Sequence, residues 1–420
     1  MAQLQNTQTL ALQLERVRDK LELLYERTDT LWGMIKEETD VDPVSTRNMR
    51  IPVQALAGGI PSQVDPDGGD FGRGSGTTFD FGQITPVYIS IAVEVSKLAE
   101  IATNGGEKAI ESIAKVEPAN AMKQLNKVMD NLLNTDGSAT LDTVVTVTSA
   151  TQWIVNNGNQ FMDNMLIDVW SALGGTFRGT VQVLSVDPNA NVLYLAGAGL
   201  GTTISGDLLL LRGAPGVAGG SLLGILYYQT QSNSGNWLQL PRASYPGKLR
   251  TPYVNGNSAS VTQQTFRRML SQLAFALGDD IAEQQKGVWY MDLDQAAAWE
   301  NVGLAVSQVI QNQLTGSSSE DMIKKATPQT AAGRKIVKSI HAKPGRIDFL
   351  CLSHWGRCEN QPIDYLEYGG QTVFPIYGAS GGVAGASIFY YWTGCNVFNA
   401  NPRAGAYSDN LAIPVGYFGH

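Results

Sequence analysis

Two hydrophobic periods run along the chain, and the changes between them mark its parts. From residue 8 to 37, Leu10, Leu14, Val17, Leu21, Leu24, Thr28, Leu31 and Ile35 alternate spacings of four and three, with Arg16, Asp19, Lys20, Glu22 and Arg27 on the other faces. This heptad seam predicts a helical arm whose apolar stripe docks on its own domain or on a neighbour. Thr28 in the seam and a length of about four heptads argue against a free coiled coil.

The period then drops to two. Ile51, Val53 and Ala55 alternate with Pro52 and Gln54, and later Val87, Ile89, Ile91, Val93 and Val95 oppose Tyr88, Ser90, Ala92, Glu94 and Ser96. Each run predicts a strand with one apolar side. Between them, residues 58–82 hold eight glycines and four aspartates, with Phe71, Phe79 and Phe81 set among them and Arg73 as the lone cation. The two runs are expected to pair as a long ribbon with 58–78 as its tip. A lone two-stranded ribbon is marginal in water, and so long a structureless loop is foreign to a compact domain. The ribbon is therefore expected to have no partner within its own chain and to lie across a neighbouring subunit.

Beyond it, Ile110, Ile113 and Val116, then Met122, Leu125, Met129 and Leu132 predict a helix over 106–134, broken at Pro118 and stopped near Gly137. A second helix is expected at 159–173. From 176 to about 250 short strands between turn residues predict a small inserted β unit, including strands at "GDLLLLRG" and "GILYYQT". Phe266, Met269, Leu270, Leu273 and Leu277 then give a helix. "VWYMDLDQ" reads as a strand leading into another helix, "RIDFLCLS" as a buried strand, and the last segment as strands and turns. The fold class is α+β, in several parts.

Composition narrows the function. The chain has 420 residues, 43% hydrophobic but only 16% charged, with 45 glycines. Soluble domains usually carry roughly 25% charged residues, so much nominal surface is expected to be covered, by other copies among the candidates. A net charge of −8 argues against a dedicated nucleic-acid binder. Three cysteines without framework spacing indicate a reducing compartment and no structural disulfide. The N-terminal residues lack the pattern of a signal peptide, and the most apolar window, 208–228, is interrupted by Arg212, Pro215 and five glycines, unlike a membrane span.

Candidate chemistry is thin. Gly378–Gly382 fits the nucleophile-elbow pattern around Ser380, but no helix follows and the only later histidine is His420, so a glycine-rich turn is the better reading. Cys351, His354, Cys358 and Cys395 lack the paired spacing of zinc knuckles, and buried free thiols are the commoner case. Asp279 with Asp280, and Asp292 with Asp294, sit where aspartate caps and turns. Gly197, Gly199 and Gly201 precede no helix, so no phosphate loop is indicated. No catalytic, cofactor or metal site is expected. The one basic concentration gathers Lys324, Lys325, Arg334, Lys335, Lys338, Lys343 and Arg346. A solvated face is its usual meaning. A weak, salt-sensitive contact with a phosphate backbone through Lys335, Lys338, Lys343 and Arg346 is the functional alternative.

This order of parts (helical arm, glycine-tipped loop, long helix, mixed α/β segments, closing strands) resembles the major capsid proteins of tailed bacteriophages, the Hong Kong 97-like fold. The resemblance covers most of the chain and includes the texture of "GGDFGRGSG" and "NPRAGAYSDNLAIP". It implies a helical N-arm over 1–49, an extended loop over 50–97 and a peripheral domain with its spine helix over 98–175. An inserted β-rich unit follows at 176–250, an axial domain at 251–390, and a return to the peripheral domain at 391–420. It implies a shell protein of pentamers and hexamers closing an icosahedral virion capsid around double-stranded DNA, assembled in a host bacterial cytoplasm. A scaffolding protein, a portal and a cementing protein are the implied partners, and no membrane. Phe71, Arg73, Phe79, Phe81, Val87, Ile89 and Ile91 would make the contact between subunits. Some members weld that loop to a neighbour through a lysine, but residues 51–96 contain none, so cohesion should be non-covalent. An encapsulin-like compartment with enzyme cargo is the nearest alternative, and a serine hydrolase the remote one.

Overall fold

The computed structural model describes residues 31–37, 43–45, 48–61, 63, 73–96, 113–197, 199–278, 287–311, 330–377 and 383–413, a mixed α+β chain of many strands and few helices. Expectations placed on Leu10 through Thr28, Phe71, the helix before residue 113, Asp279, Asp280, Lys324, Lys325, Gly378–Gly382 and His420 lie outside the described residues. No helix among those described is long and apolar enough to cross a membrane. The chain divides into two compact units and passes between them at residues 35/36, 86/87, 222/223, 358/359 and 395/396.

The first unit takes residues 87–222 and 359–395, with 31–35. The end of the heptad seam departs from expectation, since Trp32–Met34 is a 3-10 turn rather than a continuing helix. Asp130 accepts the Leu31 and Trp32 amides on one oxygen, at 2.6 and 2.8 Å, and so satisfies donors that a further helical turn would have engaged. The long helix, Ile113–Leu133, runs through Pro118 instead of breaking there. Proline costs it one backbone bond near its start. The buried stripe of Leu125, Met129, Leu132 and Leu133 secures the rest.

Val87–Ser96 lies in this unit, and the expectation that it lacks a partner in its own chain is overturned. It pairs antiparallel with Val383–Asn399, from Val87↔Cys395 to Ser96↔Ala386. Val373–Tyr377 pairs with the same long strand. Ile89 and Val95 are buried by this arrangement, and Val87, Ile91 and Val93 are half-buried.

A closed barrel completes the unit. Its strands follow the order Val192–Leu195, Gln152–Val155, Thr140–Ser149, Leu208–Leu211, Leu166–Trp170 and Phe177–Asp187, and the last pairs with the first. Every pairing is antiparallel. The barrel begins near 140 and ends near 211, so its span differs from the expected 176–250. The helix expected at 159–173 is instead a short 3-10 turn, Gly158–Gln160, and the strand Leu166–Trp170. Ile167 and Val169, both fully buried, are β-branched and sit two apart, which suits a half-buried strand. Trp153, Val155, Val183, Leu193 and Leu209 are buried as well.

The second unit takes 36–86, 223–358 and the chain from 396. Its six-stranded sheet runs Tyr253–Asn255, Ala406–Asp409, Ile347–Cys351, Gly287–Met291, Arg334–Lys338, Thr330–Ala331. The helices Gln263–Leu277 and Leu293–Gln311 form as their apolar spacing predicts. Phe266 meets Trp289 and Trp299 edge-on at 4.8 and 4.9 Å, in a core shared with Met269, Leu273 and Phe349. Gly287 is obligatory there, because a Cβ would stand 2.0 Å from the Phe349 ring. "GILYYQT" is not a strand but contains a single helical turn, Ile225–Tyr228, with Tyr228 donating from its hydroxyl to the Val397 carbonyl at 2.8 Å.

Candidate intersubunit surface

The ribbon exists, but with a different second strand. Asn48–Leu56 pairs antiparallel with Thr78–Ile84, from Met49↔Ile84 to Leu56↔Thr78, and Pro43–Ser45 adds a short third strand. The expected tip ended at 78, and no strand was expected at 78–84. Its alternation of Phe79, Phe81 and Gln83 with Thr78, Asp80 and Gly82 was the available signal.

Alternation gives the ribbon two faces. Cross-strand partners Pro52↔Phe81 and Gln54↔Phe79 put both phenylalanines on one side. There Phe79 is 74% exposed and Phe81 44%, and Leu56 and Ile60 are exposed toward the tip. The Arg50 guanidinium stands 4.4 Å from the centre of the Phe81 ring, a cation–π contact that leaves the charge beside an apolar surface. Neither Arg50, Leu56 nor Ile60 was singled out from sequence.

The base of the ribbon is pinned and its tip tightened. The Gln83 amide donates to the Leu238 carbonyl at 2.8 Å, and the Tyr245 hydroxyl donates to Asp80 Oδ2 at 2.9 Å. That bond to Asp80 holds the Tyr245 phenol above its ordinary range. Leu238 and Gln239 form the two-residue turn between Asn236–Trp237 and Leu240–Pro241, with φ of 47° and 66°. Such left-handed pairs usually fall to asparagine or glycine. Here the turn carries the buried Leu238 side chain onto Gly82, where a Cβ would lie 2.9 Å from it. Toward the tip, the Gly59 amide donates to the Ser75 carbonyl at 2.9 Å, and a Cβ on Gly58 would come within 2.7 Å of the Thr77 nitrogen.

Of the residues expected to meet a neighbour, Arg73, Phe79 and Phe81 are exposed on the ribbon. Val87, Ile89 and Ile91 belong to the other strand, where their own chain covers them, because that strand joins a different sheet.

Among the described residues of the basic segment, Lys338, Lys343 and Arg346 pair with carboxylates of their own unit. Arg346 is buried, 2.8 to 3.0 Å from both oxygens of Asp348. It also donates to the Gln229 carbonyl at 2.9 Å and lies 4.2 Å from the Tyr407 ring centre. It therefore cannot face DNA, which corrects that expectation. Arg346 immediately precedes the strand Ile347–Cys351 and stands two residues from Asp348. Lys343 pairs with Asp409 at 3.1 Å and Lys338 with Glu300, while Lys335 is exposed.

All three cysteines are buried and unbridged, and burial pushes the Cys351 thiol up to about 12. Among the described residues no group of three His, Cys, Asp or Glu side chains could hold a metal. Asp292 and Asp294 are buried around the start of the Leu293–Gln311 helix.

No protein-family profile matches the chain, and no curated protein matches it in sequence. Solved structures do match in shape. The capsid asymmetric unit of cyanophage A-1(L) is 12% identical with a TM-score of 0.55, over 97% of this chain and 99% of that one. The capsid of a native GTA particle is 9% identical with a TM-score of 0.50, over 94% and 95%. The holo-SrpI encapsulin complex of Synechococcus elongatus PCC 7942 is 10% identical at a TM-score of 0.47, over 97% and 96%, too low to carry an argument. The α+β architecture, matched from end to end, is the fold of the tailed-phage major capsid proteins, the Hong Kong 97-like fold.

Proposed function

We propose that this chain is the major shell protein of a phage head, assembling through pentamers and hexamers into an icosahedral capsid around double-stranded DNA. The observation that carries the reading is the ribbon, whose apolar face stands in solvent on a chain with a capsid-protein fold. Covering Phe79, Phe81, Leu56 and Ile60 with a neighbour would contribute about 25 cal/mol per Å² of apolar area buried. Repeated head-to-tail around a ring, such a contact closes on itself. Arg50 beside Phe81, and Arg73 in the tip segment, supply the charges with which the ribbon selects its partner. With no lysine in the loop, cohesion is non-covalent.

The role requires no catalysis. A scaffolding protein, a portal and a cementing protein are the expected companions, and assembly takes place in a host bacterial cytoplasm. Contact with packaged DNA through the segment around Lys335 is weak and salt-sensitive, since its neighbours are already ion-paired.

Electron microscopy of the protein, expressed alone and with a candidate scaffold, tests the reading. Closed shells or rings of five and six are expected. A monodisperse monomer under both conditions would sink it, and shells filled with protein cargo instead of nucleic acid would replace the phage head with a cellular compartment.

A further inference from the structure

Leu238 and Gln239 hold a backbone conformation that side chains resist, with φ of 47° and 66°, in a turn that asparagine and glycine would form freely. Strain of this kind persists only where the surroundings over-determine it, and it gathers at sites of function. The hairpin is anchored at its root. Trp237 is buried and donates from its indole to the Asn399 carbonyl at 3.2 Å. Arg242 is buried too. Its amide donates to the Gly235 carbonyl at 3.0 Å, and its guanidinium donates to the Tyr227 carbonyl at 2.8 Å and to the Leu249 carbonyl. A rooted hairpin holds its tip in one place.

That tip, with Tyr245 beyond it, bears on the ribbon's outer strand, Thr78–Ile84, and on the residue that follows. Leu238 sits against Gly82, and its carbonyl accepts the Gln83 amide. Gln239 donates from Nε2 to the Thr85 hydroxyl at 3.1 Å, and Tyr245 holds one oxygen of Asp80. The other Asp80 oxygen accepts the Phe81 amide at 2.8 Å.

Residues two apart in an antiparallel strand turn their amides to the same side. The Phe81 and Gln83 amides therefore both face outward, away from Asn48–Leu56. Pro52 opposite Phe81 fits this, since it has no amide hydrogen to exchange. An open strand edge invites pairing with another chain. Here both outward amides are taken within the chain, while the phenylalanine face stays in solvent.

We propose that Leu238, Gln239 and Tyr245 form a latch that fixes the direction of the ribbon and closes its outer edge, so that a neighbouring copy is met by the phenylalanine face and not by strand addition. Leu238 is the positioning residue and acts through Gly82. The proposal rests on the shell reading for the presence of a neighbour, whereas the latch itself is measurable in the unassembled chain.

The test uses the full chain. In Gly82→Ala the new methyl group meets Leu238 Cβ and Cδ1 at 2.9 Å and must push the tip away. Exchange of the Gln83 amide in the unassembled chain should quicken about tenfold or more, and the yield of closed shells should fall by a similar factor. Open sheets or filaments should replace the shells under the electron microscope. Adding Leu238→Gly removes both clashing atoms and gives the turn a residue suited to positive φ. The double variant should then regain protection at Gln83 and most of its shells, a rescue that a general loss of packing would not allow. Tyr245→Phe keeps the ring, removes only the hydroxyl and should shift the products the same way by about threefold. It decides if Gly82→Ala fails to fold. Normal shells from both single variants, or a double variant no better than Gly82→Ala, overturn the proposal while the shell reading stands. A wild-type chain that never assembles overturns both.

Discussion

The ribbon and the barrel are both small antiparallel β structures, and they handle their apolar surface in opposite ways. The barrel's order of strands returns to its start, so no edge is left over and Trp153, Ile167, Val169 and Leu209 are fully enclosed. The ribbon has no interior: alternation sends Phe79 and Phe81 to a face that its own strands cannot cover. A structure with its own core is stable before it meets anything, whereas one without depends on what it meets. The difference teaches that β content alone does not say where stability resides.

The strongest way to break this comparison is at the barrel core. Trp153→Ala should cost about 3–5 kcal/mol in urea unfolding of the unassembled chain. A loss under about 1 kcal/mol would mean that the barrel does not support itself. Gly58→Ala comes next. Its methyl group meets the backbone of Thr77, Ser75 and Gly76 within 3 Å, so about 1–3 kcal/mol is expected. Hydrogen exchange should rise around 56–60 and 75–78 while barrel amides keep their protection. Equal loosening of both regions would erase the distinction.

Phe79→Ser should change the unassembled chain by less than about 0.5 kcal/mol, because the ring is already in water. In shells the same change should cost about 1–2 kcal/mol per copy, read as a lower dissociation temperature. Equal effects in both states would leave the ribbon without a partner.

The smallest effect is a pH slope. Burial, against opposing hydrogen bonds from Asn156 and Asn157, raises the Asp142 carboxyl above its ordinary value. The folded barrel therefore holds this proton more tightly than the unfolded chain does. The contribution is full below the unfolded value and is lost as pH rises through the folded one. Melting scans from acid toward neutral pH should show a shallow decline attributable to Asp142 that Asp142→Asn lacks, and parallel profiles would refute the assignment.

Much of the second unit was legible because its signals are local. The helix Gln263–Leu277 has one buried stripe, and the strands Gly287–Met291 and Ile347–Cys351 are short apolar runs bounded by turns. Leu166–Trp170 was misread because Met165, Ile167, Val169 and Trp170 fit either period, and only closure of the barrel decides between them. The ribbon's strand choice failed for a related reason. Val87–Ser96 is the stronger strand by composition, yet its partner lies some three hundred residues later, a distance over which periodicity is silent. Arg346 shows a third limit: charge marks a residue as polar, while its burial beside Asp348 depends on the fold.

The five passages of the chain between its two units bear on the order of events during synthesis. Both strands of the ribbon emerge together, whereas Val87–Ser96 must wait for Val383–Asn399 before it has a neighbour. At about 5–20 residues per second, that wait lasts roughly 15–60 s. For that interval each nascent chain carries a ten-residue strand with two open edges. The chain is then most prone to aggregate while still on the ribosome, and its yield should follow the supply of chaperones more closely than its final stability does.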